Sequence, residues 1–218
     1  MSIKGVDVSH HQGAIDWRKV RGNGVDFSFI KASESVGFVD PRYKENVKNA
    51  REAGVLVGSY HFARGGDPIK EADFFLSTVG EIQQWELLAL DWEIEHASPA
   101  AWCRAFLDRV ESKVGFKPLL YTNEARVKSI NWAKVVTGDF GLWVAKYPWL
   151  DVGVAGSKPT SGQWAFWVLW QFSSKGKVGG ITGNVDLNKN DSIFIDTLKE
   201  YGKPTPSCNH RCPLHCRV

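Results

Sequence analysis

Two carboxyl side chains, Asp91 and Glu93, stand at the end of an apolar run that begins at Leu87. Such a run predicts a buried strand, in which residues two apart point to the same side and have Cα atoms roughly 6.5–7 Å apart. Two carboxyls held this close in a partly apolar place do not both ionise freely, so one pKa rises while the other stays low. A proton donor beside an anion is what hydrolysis of a glycosidic bond requires. Solvated acids in a loop and a metal site are the alternatives.

The order of predicted strands and helices indicates an α/β barrel as the scaffold that positions these carboxyls. Strands alternate with helices about five times, and further strands follow with less helix between them. This order is typical of a parallel sheet, and eight strands suggest closure into a barrel. An open doubly wound sheet is the competitor, but its glycine-rich phosphate-binding loops are absent from the sequence. The predicted strands are 3–8, 25–32, 55–62, 87–93, 118–123, 141–147, 166–172 and 183–188, and the predicted helices are 16–20, 41–53, 68–79, 99–114 and 192–201.

Polar and aromatic side chains recur where the predicted strands end. In a barrel of parallel strands these ends meet on one face, where active sites lie. The carboxyls of Asp7, Asp91, Glu93 and Asp186 should therefore share one pocket, with aromatic side chains around it. The other side chains at strand ends are Lys31, Tyr60, His61, Tyr121, Asn123, Lys146, Tyr147, Trp170 and Gln171.

An acidic pocket lined by aromatic rings suits a sugar, which has flat apolar faces. Glu93 is the predicted proton donor, because the neighbouring acids should raise its pKa, and Asp91 is its predicted charged partner. The remaining anions would stabilise the positive charge that builds on the sugar. The alternative is a divalent ion held by these acids near His10, His11 or His61, although the sequence contains no His-Glu-x-x-His motif. We expect no resident metal and no cofactor.

Composition and charge narrow the class of protein. The chain has 218 residues, of which 43% are hydrophobic and 23% charged, and this is typical of one globular domain. Ten Trp residues favour an aromatic-lined cleft, and a net charge of +3 does not indicate a nucleic-acid partner. The sequence shows neither an apolar run of about 18 residues nor a secretory signal pattern. We therefore expect a monomer that does not insert into membranes, is made in the cytoplasm without a signal peptide and acts after release.

Seven short motifs, in order, resemble those of the family 25 glycoside hydrolases, which are lysozymes (N-acetylmuramidases) from bacteria, fungi and phages. The fourth, Leu90-Asp91-Trp92-Glu93, matches the Asp-x-Glu of that family. The resemblance runs from about residue 3 to residue 201, and Ser33 stands where the family more often has Thr. The motifs are 5–13 with 15–17, 29–32 with Asp40, Pro41 and Asn46, 58–62, 90–93, 143–147, 170–172 and 185–188.

The resemblance implies an irregular barrel of five strand–helix units and three further strands, which cleaves the β-1,4 bond from N-acetylmuramic acid to N-acetylglucosamine in bacterial peptidoglycan. It makes Glu93 the general acid/base, and Asp91 the group that orients the substrate's 2-acetamido group for attack on the anomeric carbon. Asp7 and Asp186 would supply hydrogen bonds and charge. This route retains the anomeric configuration, although the spacing of the carboxyls alone does not distinguish it from an inverting route. The expected substrate-binding side chains are Tyr60, which would contact the acetamido group, Lys31 as a counter-charge to the acids, Tyr121, Tyr147, Trp149 and Trp170.

A short basic tail, residues 203–218, is expected to follow a catalytic domain of residues 1–202. The tail is predicted to be flexible, with zinc binding or a disulfide as the alternatives for Cys208, His210, Cys212, His215 and Cys216. It is too short for a folded wall-binding repeat, so the chain resembles a phage endolysin that serves host-cell lysis. A catalytically inactive sugar-binding module on the same fold is the alternative function, and the intact pair of Asp91 and Glu93 argues against it.

Overall fold

The computed structural model describes residues 3–148 and 156–190 of the chain. Within these ranges, strands and helices alternate until the last three strands. The strands are β1 (Ile3–Val8), β2 (Phe27–Glu34), β3 (Phe38–Val39), β4 (Leu56–Phe62), β5 (Leu87–Asp91), β6 (Leu119–Asn123), β7 (Leu142–Ala145), β8 (Leu169–Gly176) and β9 (Val185–Asn190). The helices are α1 (Trp17–Gly22), α2 (Tyr43–Glu52), α3 (Pro68–Val79), α4 (Pro99–Val114), α5 (Glu124–Ser129) and α6 (Ala133–Val136), and a 3-10 turn spans His10–Gln12.

Eight of the strands close into a barrel. Seven of them, β1, β2, β4, β5, β6, β7 and β8, run parallel around the ring. The eighth, β9, lies antiparallel between β8 and β1 and completes the closure. The short strand β3 pairs with β2 outside the ring. Five strand–helix units followed by three strands confirm the predicted α/β barrel.

Two details differ from the sequence prediction, and two predicted features are not tested. Strand β5 ends at Asp91, so Glu93 lies in the following loop and the two carboxyls do not share one regular strand. The elements β3, α5 and α6 were missed because each has six residues or fewer, which is too short to show a clear hydrophobic period. The predicted helix 192–201 and the predicted boundary after residue 202 lie outside the described residues.

The helix boundaries follow local sequence signals. The carboxylate of Asp67 accepts the backbone N–H groups of Ile69 and Lys70, and Pro68 occupies the first helical position of α3. Gly115 ends α4 in the left-handed conformation, which glycine adopts without steric cost. Within residues 3–148 and 156–190, no helix has the length and apolar character needed to cross a bilayer.

The apolar core has two layers, one inside the barrel and one between the strands and the helices. Rings inside the barrel need space that glycines on the neighbouring strands provide. A Cβ on Gly58 would lie 2.6 Å from the ring of Phe29, so only glycine fits there without a shift. The inner layer contains Phe27, Phe29, Leu87, Ala89, Leu119, Tyr121, Trp143 and Leu169, and the outer layer includes Ile30, Leu88, Leu90, Trp92, Phe106, Leu120 and Val144. The inner layer forms the floor on which the polar strand ends stand.

Candidate active site

The strand ends that were predicted to meet do so around one cavity of about 320 Å³. Every barrel strand contributes at least one lining side chain. Because β9 is antiparallel to its neighbours, its first residues lie on the same face as the last residues of the other strands. The lining includes Asp7 (β1), Lys31 (β2), Tyr60 (β4), Asp91 (β5), Tyr121 (β6), Trp143 (β7), Gln171 (β8) and Asp186 (β9), with Glu93 and Tyr147 from the loops after β5 and β7.

Asp91 is a buried acid of the cavity, as is Asp7. Its side chain ends a fully buried strand, and the residue is 8% exposed. Its Oδ1 atom is buried and has no hydrogen-bond partner among the described residues. Burial raises the pKa of Asp91 well above its usual range, and the negative charges of Glu93 and Asp7 raise this pKa further. An unpaired buried carboxyl oxygen is costly, and it faces a cavity where a ligand N–H group could approach.

Glu93 stands at the open side of the same cavity. It follows Asp91 by two residues, lies beyond the end of β5 and is exposed. Burial disfavours the charged form of Asp91, which runs against the prediction that Asp91 would be the readily charged partner. The reason is that the strand carries Asp91 into the apolar floor, where desolvation raises its pKa, whereas Glu93 reaches into the mouth. A proton donor near solvent can exchange protons with water between turnovers.

Asp7 lies opposite Asp186 across the pair of strands β1 and β9. Its Oδ2 atom accepts N–H groups from the amides of Gln171, at 2.8 Å, and Asn188, at 2.7 Å. The side chains of Asp7 and Asp186 are direct cross-strand neighbours, and both line the cavity. Burial raises the pKa of Asp7 to about 6, although the hydrogen bonds to the amides oppose this rise. The pair therefore holds a proton more readily than an isolated aspartate does.

Three tyrosines line the cavity, Tyr60 from β4, Tyr121 from β6 and Tyr147 from the loop after β7. Tyr121 and Tyr147 donate their hydroxyls to the same acceptor, Gln171 Oε1, at 2.8 and 2.6 Å. The hydroxyl of Tyr60 has no hydrogen-bond partner among the described residues and is available to a ligand. Burial raises the pKa of Tyr60 well above its usual range, and the charges of Asp7 and Asp91 add to this rise. Tyr60 is therefore a neutral hydrogen-bond donor beside the buried acids.

Lys31 reaches the cavity from β2, but its direct partner is not one of the four predicted acids. Its Nζ lies 2.5 Å from the carboxylate of Glu34 and 4.8 Å from the ring centre of Phe62. Arg64 binds the other oxygen of Glu34. The positive charge of Lys31 still lowers the pKa of Asp91, so it acts on the acidic cluster from a distance. The predicted counter-charge is therefore present, but Lys31 forms its ion pair with Glu34 and not with the four acids.

Comparisons with known proteins agree with this geometry. The profile of the glycosyl hydrolases family 25 matches residues 6–181, which is most of the chain. The chain belongs to glycosyl hydrolases family 25. It is 32% identical to Lysozyme M1 of Streptomyces globisporus over 204 residues, covering 86% of this chain and 67% of that protein. It is also 33% identical to the autolytic lysozyme of Clostridium acetobutylicum, where 86% of this chain spans about half (55%) of the relative.

Solved structures show the same family 25 fold. The lysozyme from Streptomyces coelicolor has a TM-score of 0.73 and 28% identity, and the match covers 92% of this chain and 97% of that one. The CTP1L endolysin has a TM-score of 0.76 and 32% identity, covering 90% and 69%. Family membership confirms that the chain is a glycoside hydrolase of the lysozyme type, as the motifs predicted.

The barrel brings together most, but not all, of the residues that the family 25 resemblance singled out. Eight of the ten predicted site residues line one cavity: Asp7, Lys31, Tyr60, Asp91, Glu93, Tyr121, Tyr147 and Asp186. Trp170 does not, because it is 1% exposed and its Nε1 donates to the backbone oxygen of Lys146 within the wall. The prediction of Trp170 as a sugar platform is therefore wrong. Trp149 lies outside the described residues.

Sequence reasoning missed the part played by Asn188, although this residue stood inside a recognised motif. Asn188 and Asp186 are two residues apart on β9, and strand alternation could have placed them on one face. Which partner Asn188 meets depends on the register of β9 against β1, in which Asp186 pairs with Asp7. Residues far apart in the sequence set that register, so the contact with Asp7 was not predictable.

Two of the three histidines that were considered as metal ligands, His10 and His61, have other partners in the fold. His10 Nδ1 lies 2.7 Å from Asp40, and His61 lies between Ser33 and the buried carboxylate of Glu71, 2.9 Å from each. Within the described ranges, no three side chains of the His, Cys, Asp and Glu types are grouped as metal ligands would be. The Cys and His residues of the tail lie outside these ranges.

Proposed function

We propose that this enzyme is a muramidase that cleaves the β-1,4 bond from N-acetylmuramic acid to N-acetylglucosamine in peptidoglycan. We also propose that the reaction retains the anomeric configuration and uses the substrate's own 2-acetamido group. The observation that carries the proposal is the unpartnered, buried Oδ1 of Asp91 at the floor of a cavity that also contains Glu93. An acceptor of this kind suits an amide N–H group on the sugar. The names of the related lysozymes support peptidoglycan as the substrate.

In the first step, the acetamido N–H group donates to Asp91, and the acetamido carbonyl oxygen forms a bond to the anomeric carbon. The bond from that carbon to the leaving oxygen breaks, and the proton of Glu93 passes to the leaving oxygen. The products are a cyclic oxazolinium ion and the sugar that has left. The positive charge on the ion lies beside the carboxylates of Asp91, Asp7 and Asp186.

In the second step, Glu93 takes a proton from water, and the water oxygen bonds to the anomeric carbon on the face from which the first sugar left. The bond to the acetamido oxygen breaks, so the acetamido group is restored and the configuration is retained. The hydrogen bond from the substrate's N–H group also replaces part of the hydration that Asp91 lost on burial. Binding therefore favours the ionised form of Asp91, which the positive intermediate requires.

The aromatic residues of the cavity bind the sugar in this scheme. The free hydroxyl of Tyr60 donates to the acetamido oxygen, and the ring of Tyr147, which is 41% exposed, offers a face to a pyranose ring. Tyr121 is 6% exposed and acts mainly through its hydrogen bond to Gln171. Lys31 lines the wall and limits the negative charge of the site.

Mass spectrometry of digested peptidoglycan tests the proposal. Purified walls treated with the enzyme should yield fragments whose new reducing end is N-acetylmuramic acid, and NMR during the reaction should show the β-anomer first. New reducing ends on N-acetylglucosamine would contradict the proposed bond, and the α-anomer would contradict retention. Wall binding without any new reducing end would favour the inactive sugar-binding module.

We further propose a role in host-cell lysis, with synthesis in the cytoplasm and access to the wall after release. Similarity to the CTP1L endolysin, and to the catalytic domain of endolysin ply40 from Listeria bacteriophage P40 (26% identity, TM-score 0.74), supports this role. Expression in a susceptible bacterium together with a pore-forming membrane protein should clear the culture much faster than either protein alone. Equal clearing without the pore-forming protein would contradict release as the controlling step.

A further inference from the structure

Two buried amides, those of Gln171 and Asn188, both donate to the Oδ2 atom of Asp7. We propose that Gln171 and Asn188 are positioning residues that confine one proton to the contact between Asp7 and Asp186, so that this pair acts as one acid with a single negative charge. The location of the proton rests on the cross-strand pairing of Asp7 with Asp186 and on the two amides bound to Asp7. The role of the pair in catalysis rests on the proposed muramidase function.

The orientation of the Asn188 amide follows from its second partner. Trp143 Nε1 lies 2.8 Å from Asn188 Oδ1, and an indole N–H can only donate. The oxygen of the amide must therefore face Trp143, which leaves Nδ2 to face Asp7 Oδ2 at 2.7 Å. Asp7 Oδ2 thus accepts a hydrogen bond whose direction the fold determines. Both Asn188 and Trp143 are buried, so water does not replace either partner.

The Gln171 amide is oriented from its other end by two phenols. The hydroxyls of Tyr121 and Tyr147 both donate to Oε1, at 2.8 and 2.6 Å. An oxygen can accept two such bonds, and the amide nitrogen then points at Asp7 Oδ2, 2.8 Å away. The Gln171 side chain therefore links Tyr147, which lines the open cavity, to Asp7.

Two N–H groups aimed at Asp7 Oδ2 leave no room for a hydrogen on that atom. A proton on Asp7 must sit on Oδ1, and we infer that this proton is shared with the carboxyl of Asp186, which lies directly opposite on β9. Two neighbouring carboxyls in a buried cavity do not both ionise freely, and one shared proton relieves their repulsion. Burial raises the pKa of Asp7 to about 6, in agreement with a pair that keeps this proton in weakly acidic solution.

The groups around the pair favour the same charge state. Asp91 and Glu93 face it from β5 and the loop after β5 and oppose a second negative charge. The phenols of Tyr60 and Tyr147 are neutral in weakly acidic solution, because burial and the nearby carboxyl charges raise their pKa values above the usual range of a phenol. Lys31 is the cation that lines the cavity, and it is paired with Glu34.

The shared proton has a consequence for the proposed reaction. A pair with one negative charge can stabilise the positive oxazolinium ion. Because its proton is held between two carboxyl oxygens, it does not compete with Glu93 as a donor to the leaving oxygen. Loss of the proton would add a second charge to a cavity that already contains Asp91 and Glu93. We therefore expect activity to fall on the alkaline side of the pair's upper titration step.

Carboxyl NMR of the protein labelled with 13C at aspartate Cγ tests the assignment without any substrate. In the wild type, the Asp7 and Asp186 signals should move together, in two well-separated steps, with the upper step near the value of about 6 given above for Asp7. Asn188→Leu keeps the volume and removes one N–H donor, so the upper step should rise by about one pH unit. The matched control, Asn190→Leu, removes another buried amide of β9, one that donates to the backbone oxygen of Val168, and should leave the step in place.

A second variant keeps the test decisive if Asn188→Leu does not fold. In Asp7→Asn, the amide oxygen can accept both N–H groups and the amide nitrogen can donate to Asp186, which imitates the protonated pair. Asp186 should then titrate in a single step, below the upper step of the wild type. Independent single steps for Asp7 and Asp186 in the wild type, or an Asp186 titration that Asp7→Asn leaves unchanged, would overturn the assignment.

The pH dependence of wall hydrolysis tests the catalytic role separately. The alkaline fall in the rate should move upward by the same interval in Asn188→Leu as the NMR step does. A shifted NMR step with an unmoved pH–rate profile would overturn the catalytic role. Absence of muramidase activity in the wild type would overturn the proposed function and would leave the NMR result unaffected, so the two failures are distinguishable.

Discussion

Glu93→Gln is expected to lower the rate of peptidoglycan hydrolysis by about a thousandfold, the size of effect that a general acid/base supplies. The substitution keeps the shape of the side chain and removes only the proton that must pass to the leaving oxygen. Binding of wall fragments should remain, because Tyr60, Tyr147 and Asp91 are unchanged. Release of new reducing ends from purified walls, together with sedimentation of the enzyme with walls, measures both properties.

The control for Glu93→Gln is Glu95→Gln, two residues further along the same loop. The Glu95 side chain is 96% exposed and pairs with Arg126 at the surface, where an ion pair contributes little. Glu95→Gln should therefore retain activity within about twofold of the wild type. If Glu93→Gln cleared walls as fast as Glu95→Gln, Glu93 would not be the proton donor. If it also lost binding, the loss of activity would not identify a chemical step.

Asp91→Asn is expected to lower the hydrolysis rate by about a hundredfold to a thousandfold, as loss of one preorganised electrostatic contact does. The amide can still meet the acetamido group, but it carries no negative charge against the oxazolinium ion. The same substitution should raise the melting temperature at pH 7. The raised pKa of Asp91 means that ionisation at neutral pH opposes folding, and asparagine removes that cost.

The pH dependence of this stabilisation has a definite sign. An aspartate with a raised pKa in the folded state binds its proton more tightly there than in the unfolded chain, whose aspartates titrate near 3.8. Below that pH the Asp91 carboxyl is protonated in both the folded and the unfolded state, so Asp91→Asn and the wild type should have similar melting temperatures. Above it the wild type loses stability relative to the variant, and the difference should grow towards neutrality. For a chain of this size, a difference of about 1 kcal/mol in the free energy of unfolding shifts the melting temperature by about 2–4 °C. Calorimetry between pH 4 and 7 can resolve such a shift.

Asp40→Asn provides the opposite case among the buried aspartates. The Asp40 carboxylate accepts the backbone N–H groups of His10 and Arg42 and contacts His10 Nδ1, all within 2.9 Å. Its charge is compensated, so the substitution should cost about 1–3 kcal/mol in the free energy of unfolding. A variant Asp91→Asn that is as destabilised as Asp40→Asn at pH 7 would contradict the account of Asp91 as an uncompensated buried acid.

Much of this protein was evident in the order of its residues. The alternation of apolar strands with capped helices predicted the barrel, because each strand buries both faces and each helix one stripe. The position of Asp7, Asp91 and Asp186 at predicted strand ends was enough to group them, since strand ends meet on one face of a barrel. The motif Asp-x-Glu at residues 91–93 indicated the chemistry before any geometry was known.

Only the tertiary structure decided how the grouped acids differ from one another. The sequence predicted that Asp91 and Glu93 lie on one strand, but the strand ends at Asp91, so Asp91 lies in the apolar floor and Glu93 in the mouth. Trp170 and Gln171 are neighbours at one predicted strand end, and the sequence did not distinguish their roles. In the barrel wall they point to opposite sides, so the indole of Trp170 is buried and the amide of Gln171 binds Asp7. Burial and partner orientation set the pKa of a carboxyl, and both depend on strand register and closure, which residues far apart in the chain determine together.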